Sequence, residues 1–244
     1  MPTRSDPTAM PKDLPRVIMT IDGPAGTGKS TVAHLLAGRL GLEFLDTGAM
    51  YRAAALVAIE QGIDPRGDAD TLAEAVRTAD LHFDWASDPP MIRLGDRDVS
   101  RRIRDLDVSE IVSVVAARSE LRRVLVERQR RIADEHPRLV TEGRDQGSVV
   151  FPDAAIRFYL DADLKVRADR RVSQLVEIGQ PADPDRVVRD IQERDRLDAS
   201  RPDGPLVRPE GAIEIDTGDR TAEQVVDALE SAARRQLPDA GFAP

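Results

Sequence analysis

Apolar residues occur along this chain in two patterns, short unbroken runs and spaced sets, and each predicts a different element. Val17-Ile18-Met19-Thr20-Ile21 is a run bounded by Asp22-Gly23-Pro24, which predicts a buried strand. Val32, Leu35, Leu36 and Leu40 recur at helical spacing, so a helix is expected from about Gly28 to Leu40, with Gly41 ending it. Glu43-Phe44-Leu45 predicts another strand. A helix from about Ala49 to Gln61 follows, stopped by Gly62, and then a short helix over 71–80. From Leu81 to Val99 the pattern turns to short alternating pieces around Asp88-Pro89-Pro90 and Gly95-Asp96, which predicts a small antiparallel insert. Helical stretches over 105–117 and 119–135 precede strands at Leu139–Thr141 and Ile156–Leu160. Charged helices over 163–178 and 184–200 flank Gly179-Gln180-Pro181. Ile213-Glu214-Ile215 predicts a last strand, and Val225, Val226, Leu229 and Ala233 mark a closing amphipathic helix. Strands alternating with helices predict an α/β fold with a mainly parallel sheet.

The length, 244 residues, suits one large domain or a core with an inserted subdomain. The expected organisation is a disordered lead-in over 1–15, a folded unit over 16–237 and a tail over 238–244. The opening MPTRSDPTAMPKDLP has no apolar segment of the kind a secretory signal needs. Hydrophobic residues at 41% and charged residues at 32% exclude a membrane protein, and no run approaches the roughly 20 apolar residues of a span. A net charge of −9 and 3% aromatics argue against a general nucleic-acid or anionic-membrane binder. The absence of cysteine removes disulfides, thiol catalysis and thiolate zinc sites, and fits a reducing compartment. A cytoplasmic monomer is therefore expected. Only Lys12, Lys29 and Lys165 among the 35 basic residues are lysine. A coding bias toward arginine explains most of that, but a guanidinium fork also fits a phosphate bidentately.

Gly23-Pro24-Ala25-Gly26-Thr27-Gly28-Lys29-Ser30-Thr31 matches G-x-x-x-x-G-K-[ST], with a strand expected before it and a helix after. Glycines let main-chain N–H groups point at phosphate oxygens, and the helix N-terminus adds unpaired donors. Lys29 would reach the β- and γ-phosphates of a nucleoside triphosphate such as ATP, and the Ser30 hydroxyl would join a Mg²⁺ shell. The motif alone does not separate a kinase from a mechanical ATPase. No N-K-x-D guanine-reading motif follows it, which counts against a GTPase.

Three further segments could face an acceptor. Asp46-Thr47-Gly48-Ala49-Met50-Tyr51-Arg52 opens a helix, and Arg52 could hold a second phosphate; a plain N-cap beside a surface arginine explains it equally. Glu142-Gly143-Arg144-Asp145-Gln146-Gly147-Ser148 follows a strand, where α/β sheets place ligands, though a solvated loop would also fit. Arg167, Arg170 and Arg171 crowd one helix, and Arg194, Asp198 and Arg201 share one helical face. These arginines belong either to a salt-bridged solvent face or to a lid that closes on the transferring phosphoryl group. His34, His82 and His136 fall in none of these motifs.

Taken in order, IDGPAGTGKST, DTGAMYRA and EGRDQGSVVFPDA resemble the bacterial cytidylate kinases, members of the nucleoside monophosphate kinases, over about Val17 to Leu237. The resemblance implies transfer of the ATP γ-phosphate to CMP or dCMP. It also implies a P-loop three-layer fold with a monophosphate-binding insert (about 72–100) and a mobile lid (about 167–186). By resemblance, Thr47 and Arg52 face the acceptor nucleotide, Arg52 on its phosphate. Ser113, Arg122 and Asp145 read the cytosine ring, and Arg144 binds on the phosphate side. Arg194 and Arg201 touch phosphate and Asp198 the ribose; Arg170 is expected on the ATP side. Lys29, Arg144, Arg194 and Arg201 are the expected catalytic set. Gln146 stands where the family usually has an apolar residue, and Ser148 where threonine is commoner. The substrates expected are ATP and CMP or dCMP, with Mg²⁺ and without nucleic acid or membrane. Rival readings are a P-loop kinase for another small molecule and an ATP-binding switch that transfers nothing.

Overall fold

The computed structural model of the protein describes residues 14–177 and 179–244. In chain order its elements are β1 (Val17–Asp22), α1 (Lys29–Leu40), β2 (Glu43–Asp46), α2 (Thr47–Gln61), α3 (Ala69–Thr78), β3 (Leu81–Asp84), β4 (Met91–Leu94) and β5 (Arg97–Asp98). Then come α4 (Leu106–Ala116), α5 (Ser119–Glu135), β6 (Arg138–Gly143), β7 (Ile156–Asp161), α6 (Leu164–Glu177), α7 (Pro184–Ala199), β8 (Ile213–Asp216) and α8 (Ala222–Gln236). One tight helical turn, Arg102–Arg104, precedes α4, and a wide turn, Gln146–Val150, follows β6.

Five strands pair in the order β2-β6-β1-β7-β8, every neighbour parallel. All six residues of β1 and of β6 are buried, as a central parallel strand covered on both faces requires. Alternate side chains serve opposite layers. Ile18 and Leu139 join one apolar cluster with α2, α4 and α5, while Val17, Met19, Ile21 and Val140 join the other with α1 and α8. The P-loop follows β1 and the Glu142–Ser148 segment ends β6, so neighbouring strands deliver both to one sheet edge.

Capping residues shift several expected boundaries. Asp46 Oδ1 accepts the Ala49 N–H at 2.9 Å and starts α2 at Thr47, two residues earlier than expected. Asp68 accepts the Thr71 N–H in the same way and starts α3 at Ala69. Strands β3, β4 and β5 form the antiparallel sheet expected of the insert. Leu72, Leu81, Phe83, Ile92 and Leu94 nevertheless belong to the cluster that also covers the main sheet, so this region shares a core with its host. Helices α6 and α7 have a small cluster of their own: Ala168, Leu175, Val187 and Ile191.

The residues expected as a tail, 238–244, pack on the core. The buried Arg138 guanidinium donates to the Ala240 and Gly241 carbonyls at 2.8 and 3.0 Å, and the Ala243 N–H donates to Leu40 O at 3.0 Å. Of the expected lead-in, residues 1–13 lie outside the described part; the Pro15 carbonyl accepts from Arg138 at 3.1 Å. Among the described residues no helix is long and apolar enough to cross a membrane.

Candidate active site

The phosphate loop takes its shape from glycine. Gly26 and Gly28 sit at φ 84° and 86°, where a side chain is strained, and a Cβ on Gly23 would run into the Leu160 main chain of β7. Lys29 opens α1 with its side chain turned back under the loop, Nζ donating to Pro24 O at 2.6 Å and Thr27 Oγ1 at 3.3 Å. Burial, with the Arg144 charge beside it, lowers its pKa to about 7. Asp22, at the end of β1, accepts the Gln146 and Gly147 N–H groups at 2.8 and 2.7 Å and so ties the β6 loop to the P-loop strand. Its own pKa rises to about 7 because burial outweighs those two donors.

Facing the P-loop, positive charge gathers in excess. Arg144 Nε pairs with Asp198 Oδ2 at 2.8 Å, and Arg201 pairs with the other oxygen of Asp198. Arg194 lies beside them with its Nε buried and without a hydrogen-bond partner; the Arg201 Nε is in the same condition. Burial and the neighbouring Arg144 charge lower the Arg194 pKa to about 9. Arg52 is held by Ile103 O at 3.3 Å and Ser109 Oγ at 2.9 Å, and burial and the Arg104 charge lower its pKa to about 10. Asp198 is the carboxylate hydrogen-bonded to both Arg144 and Arg201, with Arg194 beside it, and its carboxyl stays below the usual range because those three charges overcome its burial. Buried guanidiniums with unmet donors suit an anion with several oxygens.

Next to this cluster Arg122, on α5, pairs with Asp145 at the end of β6; both are almost completely buried. The Tyr51 ring lies 5.5 Å from the Arg122 guanidinium, and burial pushes its hydroxyl pKa up to about 12. The main chain at Gly204 closes against this pair: φ is 61°, and a Cβ there would overlap the Arg122 and Asp145 side-chain ends. The Gln146 side chain turns inward, its Oε1 accepting from Thr141 Oγ1 and its Nε2 donating to Gln129 Oε1, both at 3.0 Å.

Not every residue expected in the site is free within it. The Thr47 hydroxyl donates to Glu142 O at 2.6 Å and ties α2 to β6. Ser113, half-buried on α4, stands one turn beyond Ser109, so the two share a face. Arg170 donates to Thr217 Oγ1 at 3.1 Å and to Thr217 O at 2.5 Å, while Thr217 Oγ1 donates to Thr27 O. It therefore reaches the P-loop through Thr217. Arg167, placed in the expected lid, is a fixed anchor: its guanidinium donates to Ala25 O at 3.1 Å and pairs with Asp195 of α7 at 2.5 Å. Sequence patterns did not single out Asp22, Ser109, Asp195 or Thr217. Of these only Asp22 left a signal, an acid between an apolar run and the first P-loop glycine.

Ser30 Oγ donates to Glu142 Oε1 at 2.8 Å, and Asp46 stands beside Glu142. Burial and the Glu142 charge raise the Asp46 pKa to about 7. One hydroxyl and two crowded carboxylates are hard oxygen donors that suit Mg²⁺, which takes few protein ligands and completes its shell with water and substrate phosphates. Among the described residues no group of three or more His, Cys, Asp or Glu side chains is placed to hold a metal ion.

A P-loop and an arginine cluster facing each other across one end of a parallel sheet define a P-loop phosphotransferase. The family model for cytidylate kinase matches residues 19–235, and the chain belongs to that family. It is 44% identical over 219 residues to a cytidylate kinase of Caldanaerobacter subterraneus subsp. tengcongensis, covering 90% of this chain and 95% of that one. It is also 44% identical over 215 residues to a cytidylate kinase of Corynebacterium glutamicum, covering 87% and 92%. A Mycobacterium avium cytidylate kinase is 41% identical over 220 residues, covering 90% and 96%.

Proposed function

We propose that the protein transfers the γ-phosphate of ATP to CMP or dCMP, giving ADP and CDP or dCDP. The observation that carries this reading is the buried excess of guanidinium charge facing the P-loop, with the Arg122–Asp145 pair beside it. Gly23 to Thr31 bind the donor phosphates, with Lys29 on the β- and γ-oxygens. Arg52, Arg144, Arg194 and Arg201 take the acceptor phosphate and the transferring group, and Asp198 the ribose. A cytosine amino group donates to Asp145, and Arg122 donates to the ring acceptors; Ser113 and Thr47 complete the pocket. Uracil presents a carbonyl where Asp145 needs a donor.

The acceptor monoester has a second pKa near ~6 and is mainly a dianion at neutral pH. One of its oxygens forms a bond to Pγ while the bond from Pγ to the β,γ-bridging oxygen breaks, and the leaving charge passes to the β-phosphate of ADP. The nucleophile carries no proton, so no general base is needed. The chain supplies in-line placement and charge neutralisation. Ser30, Glu142 and Asp46 would hold Mg²⁺, which when bound neutralises charge on the donor phosphates. Helices α6 and α7 act as the lid over about 167–186 and exclude water, with Arg167 as its fixed end.

ADP production from Mg·ATP tests this against CMP, dCMP, UMP, AMP and GMP. Strong stimulation by CMP and dCMP is expected. Stimulation by UMP or AMP alone would keep the phosphotransferase and reject the role given to Asp145.

A further inference from the structure

Rotating the peptide between Thr27 and Gly28 changes ψ of Thr27 and φ of Gly28 and little else. Glycine accepts either sign of φ, and a Cβ on Gly28 would meet nothing within 4 Å, so crowding does not fix this unit at the observed φ of 86°. Its orientation matters, because a trans peptide points its C=O and its N–H in opposite directions. The Thr27 carbonyl is turned toward the segment after β8, where the Thr217 hydroxyl donates to it at 3.2 Å. The Gly28 N–H therefore points the other way, and among the described residues no group accepts from it.

Thr217 is itself held on two sides. It is buried, and its N–H donates to Asp161 O at 2.8 Å. Arg170 Nη1 donates to Thr217 Oγ1 at 3.1 Å, and Nη2 donates to Thr217 O at 2.5 Å and to Gly218 O at 3.3 Å. A guanidinium carries donors only, so Oγ1 accepts from Arg170, and the single hydroxyl proton is left for Thr27 O. We propose that Thr217, aimed by Arg170, is a positioning residue for the phosphoryl donor: it holds the Thr27–Gly28 peptide with its N–H toward the donor phosphates. Without that hydrogen bond the peptide can turn over and present a carbonyl oxygen to the phosphates, which replaces attraction by repulsion. The inference rests on the assignment of Gly23 to Thr31 to the donor phosphates and adds a residue from far outside that motif.

The test compares Thr217→Val, Thr217→Ser and, as a control on the same segment, Thr221→Val, whose parent hydroxyl caps α8 by accepting the Gln224 N–H at 3.3 Å. Calorimetry gives the affinity for ATP and for inorganic tripolyphosphate, and ADP production gives KM for CMP. Thr217→Val should weaken ATP and tripolyphosphate by the same factor, roughly tenfold, through one lost hydrogen bond and the turned carbonyl. KM for CMP should stay within about twofold, and Thr217→Ser should restore most of the ATP affinity. Thr221→Val should lower Tm and leave both affinities unchanged. Arg170→Gln should weaken ATP less than Thr217→Val and add nothing to it in the double variant. An unchanged ATP affinity in Thr217→Val, a loss for ATP without one for tripolyphosphate, no rescue by serine, or additive losses with Arg170→Gln would overturn the inference. If the parent forms no ADP with CMP while the Thr217 effect on ATP holds, the acceptor reading falls and the inference stands. A parent that binds no ATP would overturn both.

Discussion

The Lys29 ammonium donates to main-chain and hydroxyl oxygens of its own loop, and burial brings its pKa from 10.5 down to about 7. Between those values the folded chain binds fewer protons than the unfolded one, so the Lys29 contribution to stability improves as pH rises from 7 toward 10.5. Asp22 has the mirror behaviour. Its pKa rises from 3.8 to about 7, the folded chain holds the extra proton, and its contribution declines as pH rises across that window. Together they give the ligand-free protein a local minimum in stability near pH 7. Lys29→Met should therefore raise Tm at pH 7 and below while nearly abolishing turnover; thermal scans from pH 5 to 9 beside an ADP assay check both halves. Donor phosphates would favour the charged ammonium, so ATP binding at pH 8 should take up protons in calorimetry repeated across buffers. Lys29→Met should lose that uptake.

At the scale of elements, the pocket assigned to the base joins the N-terminal half of α5 to the end of β6. Asp145→Ala should narrow the ratio of kcat/KM for CMP over UMP, and an unchanged ratio would remove Asp145 from base reading. Gln146 illustrates what a linear pattern hides. It stands next to Asp145 in sequence, yet its amide joins Thr141 to Gln129 inside the core. Gln146→Met should leave the CMP/UMP ratio nearly unchanged and cost about 1–3 kcal/mol in urea unfolding, because two buried polar partners lose their hydrogen bonds. Residues that act as neighbours in sequence, such as Gly23 to Thr31 or Arg144 and Asp145, were legible because the motif is itself the geometry. Asp195 on Ala25 and Arg167, or Thr217 on Thr27, were not: the partners lie far apart in the chain, and nothing local marks them. Boundaries moved for a similar reason, since Asp46 and Asp68 begin helices by accepting main-chain donors that apolar periodicity does not register.

Across the whole molecule, alternation of strands and helices was enough to forecast a parallel sheet, but the order β2-β6-β1-β7-β8 depends on crossovers that spacing does not encode. The same holds for how the small sheet meets its host. Trp85, which follows β3, stacks on His136 at 3.9 Å, and His136 Nδ1 donates to the Glu43 carboxylate at 2.9 Å. His34 of α1 meets Asp88 from the same β3–β4 connection at 2.6 Å. Trp85 is the chain's single tryptophan, so its emission reports this docking directly. CMP should shift that emission if acceptor binding moves the small sheet against α5. An emission unchanged at saturating CMP would mean that the connection stays docked.

Gly204 gives the pocket assigned to the base an unusual kind of boundary. The surface pressed against Arg122 and Asp145 is main chain, and its shape is set by a left-handed φ that disfavours other residues. A boundary built from side chains can be resized one substitution at a time; one built from peptide units cannot. A change of preferred nucleobase in this lineage would therefore have to come from the Arg122 and Asp145 side or from a new path of the chain after α7. Single replacements at Gly204 would close the pocket, and laboratory selection for a new acceptor should find its gains elsewhere.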